Sequence, residues 1–268
     1  MSDAPMTPRP AATVMLLRDT EDGPAVFLLQ RHAGMEFAPG TTVFPGGGVD
    51  DRDRNADIAW AGPEPAWWAQ RMGVSSDLAL ALICAAVRET FEECGVLLAG
   101  PAEGGSEIVT DATVYHGARA ELASRSQSFG EFLRRERLVL RADLLRPWAN
   151  WVTPTAGHLR RYDTHFFVAA LPEGQHADGQ TSEAVASGWA APAAAIEDFA
   201  AGRSFLLPPT WTQLDSLVSA GATVAEILAL DRHIVPVRPE VIGVEGNWSV
   251  DFFDVERYEQ ARRGWPMW

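Results

Sequence analysis

The chain has 268 residues, 47% of them hydrophobic, enough to bury a sizeable core and too apolar for a disordered polymer. Its formal net charge is −14, which argues against a general nucleic-acid binder, since that function needs a basic footprint. No apolar run approaches the ~20 residues of a membrane span, so a membrane role is not expected either.

Residues 1–10 read as a flexible N-terminal arm, polar and proline-containing, without the long apolar core of a signal peptide. Ala11 to Leu17 and Ala25 to Gln30 are apolar runs on either side of Asp22-Gly23, the pattern of a hairpin entering a sheet. A loop containing Pro39-Gly40 follows. Val43-Phe44-Pro45-Gly46-Gly47-Gly48 then reads as a strand running into a glycine turn, where the backbone can approach a metal or a phosphate closely. Residues 50–74 form an insertion rich in charge and tryptophan. Trp60, Trp67 and Trp68 read as core under a loop, with an adenine platform as the alternative.

The run from Ser75 to Cys94 predicts a helix. Ser75 or Ser76 can cap it, Asp77 suits its first turn, and Gly95 is a natural stop. Leu78, Leu82, Ala85 and Ala86 supply an apolar face. At its end, Glu89, Glu92 and Glu93 fall within roughly a 100° arc. Three carboxylates on one face repel one another and disfavour a plain solvated helix. A hard divalent cation would turn that liability into a site. Arg88, next to Glu92 on the helix surface, is placed to orient them.

Residues 100–146 read as a second, helical insertion, with helical character over Tyr115–Ser124 and Ser128–Arg137 and a basic run at Arg134, Arg135, Arg137 and Arg141 that reads first as a solvated face. Trp148–Thr153, Thr164–Leu171 and Glu183–Ala190 read as strands. Pro192–Ala201, Pro209–Ala220 and Val224–Leu230 read as helices, His233–Val244 as extended, and the remainder as irregular. Strands and helices in this order predict a mixed α/β arrangement, taken as a single domain over 11–268. Cys84 and Cys94 lie about 15 Å apart along one predicted helix and cannot pair, which fits a cytoplasmic location. The 22 basic residues are all arginine, a residue suited to bidentate phosphate contacts.

The glycine strand followed by Arg88-Glu89-Thr90-Phe91-Glu92-Glu93-Cys94-Gly95-Val96 resembles the Nudix box: a Gly, then a Glu, then Arg-Glu-apolar-x-Glu-Glu-x-Gly-apolar in a loop–helix–loop. Thr90 replaces the usual apolar residue. The first half is split: Gly48 and Arg88 lie 40 positions apart, far more than the family spacing. Leu80 falls where the family's first glutamate would stand in the helix, and Asp53, six residues after Gly47, matches it only if the insertion follows Asp53. Leu28-Leu29-Gln30-Arg31, the split box, Trp151-Val152-Thr153-Pro154 and Arg161-Tyr162-Asp163-Thr164 resemble the coenzyme A diphosphatase-like branch, although the second Arg of the stricter coenzyme A signature is missing after Arg31.

The resemblance implies a Nudix fold: an α/β/α sandwich around a mixed sheet, with helical insertions. It implies metal-dependent hydrolysis, using Mg²⁺ or Mn²⁺, of a nucleoside diphosphate-linked small molecule, with coenzyme A or acyl-coenzyme A ahead of ADP-ribose, NADH or a dinucleotide. A non-catalytic nucleotide-sensing module is the alternative of another class. By the same resemblance, Glu89, Glu92 and Glu93, with a carbonyl of Gly47 or Gly48, are the metal ligands. Glu89 is also the base that orients water, Arg88 supports the carboxylates, and Glu183 is a further base or ligand. Arg31, Arg160 and Arg161 are the substrate-binding candidates, and the insertion at 50–74 is expected over the substrate entrance. The oligomeric state is left open, a homodimer included.

Overall fold

The computed structural model describes residues 6–35, 38–54, 57–155, 160–244, 247–262 and 265. Strands β1 (Arg9–Thr20) and β2 (Gly23–Arg31) form the hairpin read from the sequence, with Thr20 paired to Gly23. Gly23 makes the turn at φ +107°, a conformation that side-chain-bearing residues avoid. Because β1 begins at Arg9, the sheet takes in the end of the expected arm, whose residues 1–5 lie outside the described residues.

Strand β3 (Thr42–Val43) pairs with β2, and strand β4 (Gly46–Gly48) pairs with β1. The expected glycine turn is thus a strand, laid antiparallel on Ala11, Ala12 and Thr13. A Cβ at Gly46 would sit 2.5 Å from the Ala12 carbonyl oxygen, so only glycine allows this approach.

Helix α1 (Asp51–Arg54), strand β5 (Trp60–Ala61) and helix α2 (Pro65–Met72) lead to the long helix α3 (Ser76–Cys94). Ser75 is its cap, accepting from the Leu78 N–H, and Gly95 ends it at φ +71°. Thr90, polar where the box is usually apolar, is fully buried and satisfies its hydroxyl on the Ala86 carbonyl at 2.7 Å.

Strand β6 (Ala99–Pro101), helices α4 (His116–Ala123) and α5 (Phe129–Arg135) and strand β7 (Leu138–Arg141) follow, with a reciprocal Ser128–Glu131 capping box on α5. Strands β5, β7 and β6 make a small sheet of their own. It joins the two expected insertions into one body packed on α3, where Phe132 stacks on Phe91 at 5.5 Å between ring centroids. Trp68 is fully buried against Phe167, so that tryptophan is core.

The chain continues through β8 (Leu145–Val152), β9 (Tyr162–Ala170), β10 (Ala184–Ala190), α6 (Pro192–Ala200), α7 (Pro208–Val218), α8 (Val224–Ala229), β11 (Pro236–Val237), β12 (Glu240–Val244), β13 (Asn247–Asp251) and α9 (Val255–Ala261). The main sheet runs β10-β2-β1-β9-β8-β11, parallel at β1–β9 and β8–β11 and antiparallel elsewhere. Strand alternation sorts its side chains into two cores. Val14, Leu16 and Phe167 pack with α2 and α3; Met15, Leu17, Phe166 and Val168 pack with Phe199, Trp211, Leu214 and Tyr258. Each such side chain contributes about 1.5–3 kcal/mol on burial. Helices on both faces complete an α/β/α sandwich. The C-terminal part is not irregular: Tyr258 Oη donates to the Leu206 carbonyl and Trp265 Nε1 to that of Phe199, anchoring α9 in the second core. Among the described residues no helix is long and apolar enough to cross a membrane.

Candidate active site

Helix α3 brings its carboxylates up to the glycine strand. A Cβ at Gly47 would lie 2.5 Å from Glu89 Oε1, so the missing side chain makes room for that carboxylate. Glu93 is buried and accepts the Gly46 N–H at 2.8 Å, tying helix to strand.

Arg88, only 8% exposed, stands between them. It donates from Nε and Nη2 to the two oxygens of Asp53 at 3.0 and 2.8 Å, from Nη1 to Glu89 at 2.6 Å and to Glu92 at 3.3 Å, and from Nη2 to the Gly48 carbonyl at 3.1 Å. Asp53 is 2% exposed and also accepts the Asp50 N–H at 2.8 Å. The inserted elements β5 and α2 follow Asp53 in the chain. Leu80, more than two turns before Arg88 on α3, makes no contact with the cluster, whereas Asp53, six residues after Gly47, is the partner of Arg88.

Three carboxylates, those of Asp53, Glu89 and Glu92, share one guanidinium, with Glu93 beside them. Burial, reinforced by the neighbouring Glu92 charge, pushes Glu89 up to about 7 against the pull of Arg88. Burial also raises Glu92, and burial with the Glu89 charge raises Glu93 well above the usual range. The cluster is short of positive charge, and its donors are hard oxygens, which fits a divalent cation. Among the described residues no three such groups yet converge on one point, so a cation would have to draw Glu89 and Glu92 away from Arg88.

At the far end of the cluster, Arg119 of α4 donates from Nε to the Glu92 carbonyl at 3.0 Å and pairs with Asp178 at 2.8 Å. A cation there suits the helix C-terminus and fixes the height at which Glu92 and Glu93 emerge.

The cluster opens into a cleft of about 1090 Å³. Gly46, Gly47, Gly48, Arg88 and Glu89 line one side; Tyr162, Thr164 and Trp151 line another. Five further arginines border it: Arg9, Arg31, Arg54, Arg125 and Arg160.

A family model described as the NUDT19 Nudix domain matches residues 64–217, more than half of the chain. The chain belongs to the NUDT19 branch of the Nudix hydrolase superfamily. The acyl-coenzyme A diphosphatase NUDT19 of Gallus gallus is 31% identical over 228 residues, covering 70% of this chain and 60% of the relative. That of Homo sapiens is 29% identical over 234 residues, covering 74% and 61%. This chain thus spans about 60% of the length of the curated relatives it matches. The crystal structure of a Nudix hydrolase from Alicyclobacillus acidocaldarius is 25% identical with a TM-score of 0.70, over 86% of this chain and 99% of that one.

Within this Nudix site the structure sorts the residues expected from the sequence. Arg88, Glu89, Glu92 and Glu93 come together with Gly47 and Gly48 as expected. Glu183, just ahead of β10, lines the cleft 3.5 Å from Arg31 Nη2. Arg31 and Arg160 line the cleft; Arg161 does not. Its Nε donates to the carbonyls of Thr153 and Pro154 and its Nη1 to that of Met6, so it ties the chain together where a substrate contact was expected. Among its described residues the first insertion reaches the cleft through Asp50, Asp51 and Arg54; residues 57–74 pack away from it, and the expected cover over the entrance is not formed by them. The basic run is engaged structurally as well: Arg134 donates to the Asp57 carbonyl, Arg135 pairs with Glu121 and Glu136, and Arg141 with Asp143.

Proposed function

We propose that this chain hydrolyses the diphosphate of coenzyme A or an acyl-coenzyme A, giving 3′,5′-ADP and (acyl-)4′-phosphopantetheine, with Mg²⁺ or Mn²⁺. The observation that carries the reading is the carboxylate cluster of Glu89, Glu92 and Glu93, whose Glu89 lines an arginine-bordered cleft. The branch, whose curated relatives bear the name acyl-coenzyme A diphosphatase, supports the choice of substrate.

In the reaction, water oxygen bonds to one phosphorus, the bond from that phosphorus to the bridging oxygen breaks, and the bridging oxygen leaves with the other phosphate. A divalent cation, when bound, supplies the charge that such a transfer needs. Glu92 and Glu93 are its proposed ligands, with Glu89 and a glycine carbonyl. One lone pair of the Gly48 oxygen is already taken by Arg88. Glu89, which lines the cleft beside Gly47, is the group proposed to take the water proton. Arg88 holds Glu89 and Glu92 in orientation, and Asp53 holds Arg88. Glu183 is proposed as a further base or ligand.

The 3′-phosphate of coenzyme A calls for a cation of its own. Arg31, whose side chain is 15% exposed, and Arg160 are the proposed contacts. Comparing kcat/KM for coenzyme A and dephospho-coenzyme A isolates that phosphate. A charge-assisted contact predicts roughly ten- to a hundred-fold preference for coenzyme A; equal values would remove the 3′-phosphate site.

A further inference from the structure

The loop between α4 and α5 brings one arginine of the second insertion to the cleft wall, and no role assigned so far uses it. Arg125 lines the cleft together with Gly48 and Glu89. Its backbone is in the left-handed region at φ +58°, which a residue with a Cβ enters at a cost and which helix ends usually assign to glycine. The position is held from both sides. The Arg125 N–H donates to the Leu122 carbonyl at 2.8 Å, and Arg52 Nη1 donates to the Arg125 carbonyl at 3.2 Å. Arg52 is itself clamped by both oxygens of Asp50, whose N–H reaches Asp53, the partner of Arg88. A continuous chain of contacts therefore runs from the carboxylate cluster to the backbone of Arg125.

The side chain, by contrast, makes no hydrogen bond or ion pair among the described residues. A fixed backbone carrying an uncommitted guanidinium beside a phosphate-transfer site is the arrangement that an incoming anion completes.

We propose that Arg125 contacts the diphosphate of the bound substrate, so that the second insertion supplies a cation to the reacting group. This deepens the function proposed above and rests on it. Arg137 is the internal control: it too is left-handed, at φ +52° after α5, yet it does not line the cleft.

Arg125→Gly removes the guanidinium while fitting the backbone conformation better than arginine does, so the fold should survive it. Turnover of acyl-coenzyme A with Mg²⁺, thermal unfolding, and calorimetric binding of ADP in EDTA are measured for wild type, Arg125→Gly, Arg125→Lys and Arg137→Gly. Arg125→Gly should lower kcat/KM and weaken ADP binding by about tenfold or more, with Tm unchanged or raised. Arg125→Lys should recover part of both losses, and Arg137→Gly should match wild type in both. If Arg125→Gly unfolds, Arg125→Asn, which tolerates the same backbone, takes its place. Activity and ADP affinity of Arg125→Gly within twofold of wild type would overturn the proposal. A wild type that cleaves no coenzyme A derivative would overturn the substrate reading instead, and ADP affinity would still decide the role of Arg125.

Discussion

Asp53→Asn keeps the size of a 2%-exposed side chain and removes its charge. Asp53 is the bidentate partner of Arg88, at 3.0 and 2.8 Å, and an amide presents only one acceptor where two are needed. Breaking a buried ion pair by removing one partner costs about 3–5 kcal/mol. Arg88 keeps Glu89 at 2.6 Å and Glu92 at 3.3 Å, which places the loss at the lower end, about 3 kcal/mol. In a chain of this size that corresponds to a Tm lower by about 6–12 °C. The freed guanidinium would swing further onto Glu89 and Glu92 and hold them back from a cation, so turnover should fall more than stability alone explains. Differential scanning calorimetry and initial rates at saturating Mg²⁺ read the two effects separately. Asp198→Asn, which breaks the half-exposed pair with Arg203, is the comparison and should cost under about 1 kcal/mol. If Asp53→Asn proved as mild as Asp198→Asn in both measurements, the reasoning that Asp53 completes the split box would be wrong.

Glu92→Gln should leave Tm near wild type and lower kcat by orders of magnitude; full turnover at limiting Mg²⁺ would reject Glu92 as a ligand. Gly47→Ala should abolish most activity because its methyl would collide with the Glu89 carboxylate, whereas Gly48→Ala, whose Cβ meets nothing within 4 Å, should be tolerated; equal rates for the two would contradict the close approach. Mg²⁺ should raise the Tm of wild type, EDTA should reverse it, and Glu89→Gln should blunt it, since the cation relieves carboxylates crowded about one guanidinium; a Tm indifferent to Mg²⁺ in every form would count against a site at this cluster. Arg119→Ala should lower Tm by loosening the end of α3 at the Glu92 carbonyl, and Arg119→Lys should recover part of it; no change in either variant would show that this contact carries no stability.

The catalytic helix was legible because its signals are local: Ser75 caps it, Gly95 stops it, and the spacing of Glu89, Glu92 and Glu93 fixes their face. The hairpin and strands β8, β9 and β10 were legible for the same reason. What was not legible depends on contacts distant in sequence. Asp53 could be named but not assigned, because its register holds only once β5 and α2 are known to follow it. The glycine segment read as a turn because glycine is rare in strands, and only its laying on Ala12 shows why no other residue fits at Gly46. Arg160 and Arg161 are neighbours with opposite fates, one at the cleft and one bound to three carbonyls, a distinction that no composition carries. Strands β5, β6 and β7 are two to four residues long and pair across more than 35 positions, so each insertion taken alone shows no sheet. Arg125 reaches the site through the turn after α4, and a basic residue in a polar loop gives no sign of that.

The central claim is a metal-dependent cut at the coenzyme A diphosphate. It is tested most directly by incubating the full chain with an acyl-coenzyme A and Mg²⁺ beside ADP-ribose and NADH, and identifying the products by mass spectrometry. The expected products are 3′,5′-ADP and acyl-4′-phosphopantetheine, formed faster than ADP-ribose or NADH is cleaved and lost on adding EDTA. Intact acyl-coenzyme A, or faster cleavage of ADP-ribose or NADH, would contradict it.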